Sequence, residues 1–230
     1  MTRVLVYAAV AGGSLLLGAA VGAFGRPAER LRGSMLAFGA GGLIVAVAFE
    51  LFQPAHRAVG LGKAAVGLIV GATVFIALDV SLERHTGREA TGLALVAAVV
   101  LDGIPENFAL GVGLAEGGSL ALLVSIAASN FPESLGGAAA LRAAGGSAAH
   151  AFGIWVVTAA VLTIAMFAGR LAAGAASAAG LGMMSAIAAG SVLASLADSV
   201  MPEAYAEGGA LVAFATSAGF LVAYALTTVD

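Results

Sequence analysis

Among its 230 residues the chain has no cysteine, which excludes disulfides, thiolate metal sites and cysteine nucleophiles. Charge is nearly as scarce. Charged residues make up 10% of the chain, against about 25% in an ordinary soluble domain, whereas hydrophobic residues make up 61%. A formal charge of −3 and a pI near 5.6 offer no basic face to a nucleic-acid partner. The three histidines, His56, His85 and His150, lie scattered near the ends of apolar runs, where each reads as a solvated surface residue. No His-Glu-x-x-His pattern occurs, so nothing pairs a zinc site with a base as an intramembrane metalloprotease requires. We therefore read the chain as no enzyme and as holding no organic cofactor.

What the chain does contain is hydrocarbon. Mean hydropathy is +1.05, and 33 glycines with abundant alanine suit helices packed closely in lipid. Apolar runs of about 20 residues are the length that crosses a bilayer. They fall near 4–24, 34–53, 63–82, 91–113, 119–141, 148–169, 180–201 and 210–228. The first follows Arg3 with no cleavage site after a short core, and reads as a retained span. Turn residues punctuate the connections at Gly25-Arg26-Pro27, Gln53-Pro54, His85-Thr86-Gly87, Glu116-Gly117-Gly118, Gly145-Gly146 and Glu207-Gly208-Gly209. The expectation is an all-α integral membrane protein of eight transmembrane helices, forming a single transporter domain over residues 1–230.

Basic residues set its direction. Arg26, Arg30, Arg32, Arg84, Arg88 and Arg142 would fall on one side, and Arg3, Arg57, Lys63 and Arg170 on the other. The richer side is expected to be cytoplasmic, leaving both termini extracytoplasmic in a multi-pass plasma-membrane protein. A repeat points the same way. Gly42, Glu50 and Pro54 in the second run match Gly190, Asp198 and Pro202 in the seventh, at equal spacings, and these two spans would run in opposite directions. Inverted repeats of this kind belong to transporters, with the site near the midplane.

Two segments carry the chemistry: Asp102-Gly103-Ile104-Pro105-Glu106-Asn107 and Ser129-Asn130-Phe131-Pro132-Glu133-Ser134. A carboxylate in mid-bilayer costs at least about 2.5 kcal/mol, and a proline inside a helix about 3 kcal/mol. A lone intramembrane acid is as easily a packing hydrogen bond as a ligand. Two matched Pro-Glu pairs are hard to explain that way. Residues at i and i+4 share a helix face, so Asp102 points with Glu106 and Ser129 with Glu133. Pro105 and Pro132 lack an N–H, which frees the Leu101 and Ala128 carbonyls and predicts kinks in helices four and five. Three clustered carboxylates need a cation or a proton to coexist. The predicted site is one divalent metal ion, bound as substrate by Asp102, Glu106, Glu133, Asn130 and Ser129, with Asn107 as a further oxygen donor. Glu50 and Asp198, nearer helix ends, are candidates for pathway or gating roles.

In these residues the chain resembles the ZIP (Zrt/Irt-like) family of divalent-metal transporters, as a divergent prokaryotic-type member. The resemblance rests on the paired Pro-Glu motifs, supported by Phe38-Gly39-Ala40-Gly41-Gly42 and by Met201-Pro202-Glu203-Ala204. It implies eight spans with outside termini, an inverted-repeat bundle, a homodimer, and movement of Zn-, Mn- or Fe-type ions toward the cytosol. The departures are specific. Asp102 stands where the family has histidine, Gly103 where it has asparagine, and Asn107 and Ser134 where it has glycine. Ser129 and Asn130 lead the second motif. No Asp or Glu occurs between Glu133 and Asp198, so the acid that a sixth helix adds in two-metal members is missing. A single-metal site follows, with Asp102 moving it toward harder, oxygen-loving ions such as manganese. The competing readings are a proton-coupled carrier of another solute and a metal-sensing or scaffold protein that does not transport.

Overall fold

The computed structural model describes residues 2–25, 28–86, 92–115 and 117–229. Arg26, Pro27, Gly87, Arg88, Glu89 and Glu116, on which part of the charge count and three expected loops rest, lie outside them, as do the side chains of Glu83 and His85. Every regular element is helical: α1 (Thr2–Phe24), α2 (Glu29–Ala46), α3 (Gln53–Val59), α4 (Leu61–Thr86), α5 (Gly92–Gly113), α6 (Leu120–Ala143), α7 (Ala148–Ala175), α8 (Ala178–Ser195), α9 (Met201–Gly208) and α10 (Val212–Thr227). No strand occurs among the described residues. Five stretches among them are long and apolar enough to cross a membrane: Thr2–Phe24, Glu29–Val59, Leu61–Leu82, Ala148–Ala175 and Ala178–Thr227.

The distribution of side chains is the reverse of a soluble protein's. Leu17, Val66, Ile69, Ile164, Leu171, Phe214 and Leu221 stand exposed, whereas Asp102, Glu106, Asn107, Ser129, Asn130 and Glu133 are buried. An outer surface of large apolar groups, with acids and amides kept inside among the buried apolar residues, suits a hydrocarbon solvent.

One expected connection is absent. Gln53-Pro54 does not turn the chain; α2 runs through a π-helical segment, Val47–Phe52, directly into α3. The same happens later, where Leu196–Val200 joins α8 to α9 ahead of Pro202. A proline is tolerated in the first turn of a helix, where its missing N–H has no partner to lose. The π turn before it shifts the hydrogen-bond register, so Gln53 N–H bonds the Ala48 carbonyl instead of the one four residues back. Each rod then stops at a glycine in the left-handed region, Gly60 at φ 81° and Gly209 at φ 62°, which a side chain would strain.

Small residues set which helices touch. A methyl built on Gly219 of α10 would fall on the Phe38 carbonyl of α2, and one on Gly41 of α2 would fall on the Thr216 carbonyl. In the other half, Gly71 of α4 meets the Ile187 carbonyl of α8, and Gly190 meets that of Leu68. Each pair of contacts is spaced three residues apart on both helices. Gly41 therefore corresponds to Gly190, one residue from the Gly42 equivalence read in the sequence. The longer π segment of the first rod, 6 residues against 5, absorbs the difference before the two prolines. The larger packing obeys the same pairing: α1 lies on α6 as α7 lies on α5, and α2 lies on α6 as α8 lies on α5.

These close approaches should carry much of the stability. Gly71→Ala and Gly219→Ala are each expected to cost about 1–3 kcal/mol through overpacking. Gly13→Ala and Gly153→Ala, which meet nothing within 4 Å, should gain about 0.5–1 kcal/mol from helix propensity. Thermal unfolding of detergent-solubilised protein checks both; equal melting temperatures across the four variants would refute the packing argument.

Candidate functional site

The site begins with the phase of α6. Ser119 caps it, its hydroxyl accepting from Leu122 N–H at 3.0 Å, and Ser125, Ser129 and Glu133 follow along one face. That polar face can be buried because its neighbours carry no side chains there. A methyl on Gly42 of α2 would meet Ser125 Oγ at 2.6 Å, and one on Gly39 would meet the Ser129 backbone N at 2.8 Å and Cα at 2.9 Å. On another side of α6, Gly18 and Gly22 of α1 press against the Phe131 and Leu135 carbonyls. With α1 and α2 seated this closely, the remaining polar flank of α6 faces α5. Helix α5 is in turn fixed to α7, where Gly169 meets the Phe108 carbonyl and Gly111 that of Met166.

Both helices continue unbroken through their prolines. Glu106 is 2% exposed and Glu133 7%, so neither carboxylate has bulk water to solvate it. The two lie within electrostatic reach of each other, and Asp102 within reach of both. Ser129 Oγ donates to Glu133 Oε1 one turn away. Asn130 is held from the opposite side, its Nδ2 donating to the Ala11 carbonyl of α1 at 3.5 Å. That leaves Asn130 Oδ1 buried without a hydrogen-bond partner among the described residues. A buried orphaned acceptor is costly unless a donor or a cation meets it.

Asn107 is buried as expected, but its amide donates to Gly103 O on its own helix at 2.9 Å. Ser134 Oγ likewise donates to Asn130 O at 2.8 Å. Asp102 has a second set of neighbours: the Ser195 and Ser199 hydroxyls of the α8 rod, with Asp79 of α4 and Asp198 further off. Asp198 itself is exposed and Glu50 half-buried, each within one of the two π segments. His56 and His150 are exposed, away from the acids. Among the described residues no three His, Asp or Glu side chains converge as a ready-made metal cluster. The carboxylates are neighbours that face a common polar interior, short of a closed ligand shell.

Sequence reasoning missed one group altogether. Arg32 of α2 pairs with Glu203 Oε1 of α9 at 2.8 Å and with Glu207 Oε1. Their signal was present as Glu203 and Glu207, four apart on one helix. In the sequence Arg32 speaks only to the orientation of the chain. Ser195 and Ser199 were missed for a different reason, since nothing in α5 specifies which helix lies beside Asp102. The chain matches no protein-family model and no curated protein.

Proposed function

We propose that this protein is a ZIP-like permease, a homodimer that moves a divalent metal ion of the Zn, Mn or Fe type across the membrane toward the cytosol. On this reading the chain makes eight spans arranged as an inverted repeat, α5 and α6 are its fourth and fifth, and both bend at their prolines. One ion binds at a time between them. Glu106 and Glu133 supply the charge, Asp102 adds to it, and Asn130 Oδ1 and Ser129 complete an oxygen shell.

The observation that carries this reading is the burial of Asp102, Glu106 and Glu133 within electrostatic reach of one another, inside a bundle with an apolar exterior. Three buried carboxylates have lone pairs and negative charge to give, which the hydroxyls of Ser129, Ser195 and Ser199 answer only in part. A hard or borderline cation fits; an anion does not. Because the described residues form no ready-made cluster of acids, the ion would draw Glu106 and Glu133 inward as it binds. A site that closes on its ligand and relaxes without it suits transit better than storage.

Uptake of Mn, Zn, Fe, Co, Cd, Mg and Ca into liposomes holding the purified protein tests the proposal. Flux of at least one transition metal, blocked by Glu106→Gln, is the expected result. Binding without flux would favour the sensor or scaffold reading, and flux of another solute with proton movement would favour the carrier.

A dependence on pH follows from the same chemistry. A proton held by any of the clustered carboxylates must leave before the cation takes its place, so affinity falls as the medium is acidified. Where one proton is displaced per ion, the slope approaches about one decade of affinity per pH unit. Isothermal calorimetry in buffers of different ionisation enthalpy counts the protons released. Affinity that stays flat between about pH 5 and 8 would contradict a carboxylate cluster.

A further inference from the structure

The Arg32 network lies against α6 within electrostatic reach of Glu133. A cavity of about 640 Å³ opens at one end of the bundle, lined by Gly22 of α1, Glu29 and Arg32 of α2, Gly136 and Arg142 of α6, and Glu207 of α9. Helix α6 connects it to the site. Gly136 lies three residues beyond Glu133, so the carboxylate is roughly 4.5 Å deeper along the helix axis. Gly136 has no side chain, and the Arg32 guanidinium occupies the space one would take: a methyl there would fall on its Nη1. Arg32 thus lies flat against α6 one turn below Glu133, with its side chain only 13% exposed. Both Arg32 and Glu203 lie within electrostatic reach of Glu133.

Two helices are locked together by this contact. A methyl on Gly33, the residue after Arg32, would meet Gly208 N at 2.5 Å and Ala204 O at 2.8 Å, so the start of α2 rests directly on the end of α9. The ion pairs are therefore made across a tight backbone seam and not by two long side chains meeting in solvent.

We propose that Arg32 is a tethered cation that plugs the inner end of this cavity, closing the Glu106–Glu133 site to that face of the membrane while its pairs with Glu203 and Glu207 hold. A fixed positive charge below Glu133 repels a mobile one, and its bulk fills the glycine gap in α6. Opening requires Arg32 to leave Gly136, which breaks the seam between α2 and α9. The gate serves the permease reading and takes its purpose from it, but its geometry is independent of any ion.

The absence of cysteine gives a clean test. Glu133→Cys places one thiol at the site, and a small cationic methanethiosulfonate applied to the solubilised full chain reports its access to water. Adding Arg32→Gln, Glu207→Gln or Gly136→Ala, which undo the plug from three sides, should each raise the labelling rate by about tenfold or more. Arg32→Lys, keeping a charge without the flat guanidinium, should fall between. Melting temperature shows whether each variant is folded, and Gly136→Ala leaves every charge in place should the others prove unstable. Unchanged labelling in all three folded variants would overturn the gate. Binding of Mn, Zn and Fe to the chain with native Glu133 separates the two proposals. Faster labelling with none of the three bound leaves the gate standing and removes the permease reading; any of them bound with unchanged labelling does the reverse.

Discussion

Glu106→Gln and Glu133→Gln should each lower divalent-cation affinity by about 30- to 100-fold, whereas Glu50→Gln should change it by less than about threefold. Truncating one charge of a buried, desolvated charge contact costs about 2–3 kcal/mol or more, and about 1.4 kcal/mol corresponds to one decade of affinity. Glutamine keeps the size and one acceptor oxygen, so the loss reads out charge and not packing. Glu106 and Glu133 are both buried and within electrostatic reach of each other, and Glu50 is only half-buried in its π segment. Calorimetry, or the metal-dependent rise in melting temperature, measures all three. The two central variants should also melt higher than the native chain when no metal is present, because each removes one of two carboxylates that oppose each other in the interior. Two effects of opposite sign from one substitution are difficult to obtain from a purely structural glutamate. Unchanged affinity in both central variants would remove the site assignment.

The sequence was most legible where an energetic penalty stood against its surroundings. Acids and prolines in hydrocarbon are expensive, so the enclosure of Glu106 and Glu133 could be expected without any knowledge of the fold. Helix existence was legible too, since an apolar run of membrane length has few other options. Helix ends were harder to read. Pro54 reads as a terminator because local rules say proline stops a helix, but a π turn takes up the lost hydrogen bond and the rod continues to Val59. The acid and proline spacings of the repeat were legible, but the offset between its glycine contacts was not. The acid and proline positions align Gly42 with Gly190, whereas helix contact aligns Gly41 with Gly190, and the π segments hide the offset.

What could not be read was which helices stand side by side. Small-xxx-small spacings occur throughout this composition, so Gly18, Gly39 and Gly71 looked no different from Gly13 or Gly153. Only the neighbour across the contact distinguishes them. Arg32 was hidden for a related reason: in a membrane protein a basic residue near a span end already has an explanation in topology, and its partners lie on a helix distant in the chain. The serines beside Asp102 carry no signal in α8, where hydroxyls are compatible with any face.

Asp102 is where these two kinds of information conflict, and substitution there should give the second large effect. The motif groups it with Glu106 as a ligand, and both central glutamates lie within its reach; its hydroxyl neighbours are Ser195 and Ser199 of the α8 rod. Asp102→Asn removes one negative charge and should weaken every divalent ion by about 10- to 100-fold, as loss of a supporting group at a metal site does. Asp102→His removes the same charge but adds an imidazole, a donor that zinc accepts more readily than manganese. The zinc-to-manganese affinity ratio should therefore rise by about tenfold or more in the histidine variant relative to the asparagine variant, equivalent to about 1.4 kcal/mol of discrimination. Both ions are measured on the native chain and on each variant at one pH and salt concentration, so the lost charge cancels. An equal ratio in the two variants would mean that Asp102 touches Ser195 and Ser199 and not the metal. The ion would then rest on Glu106, Glu133 and Asn130 Oδ1, and Asp102 would supply only the field that draws cations toward them.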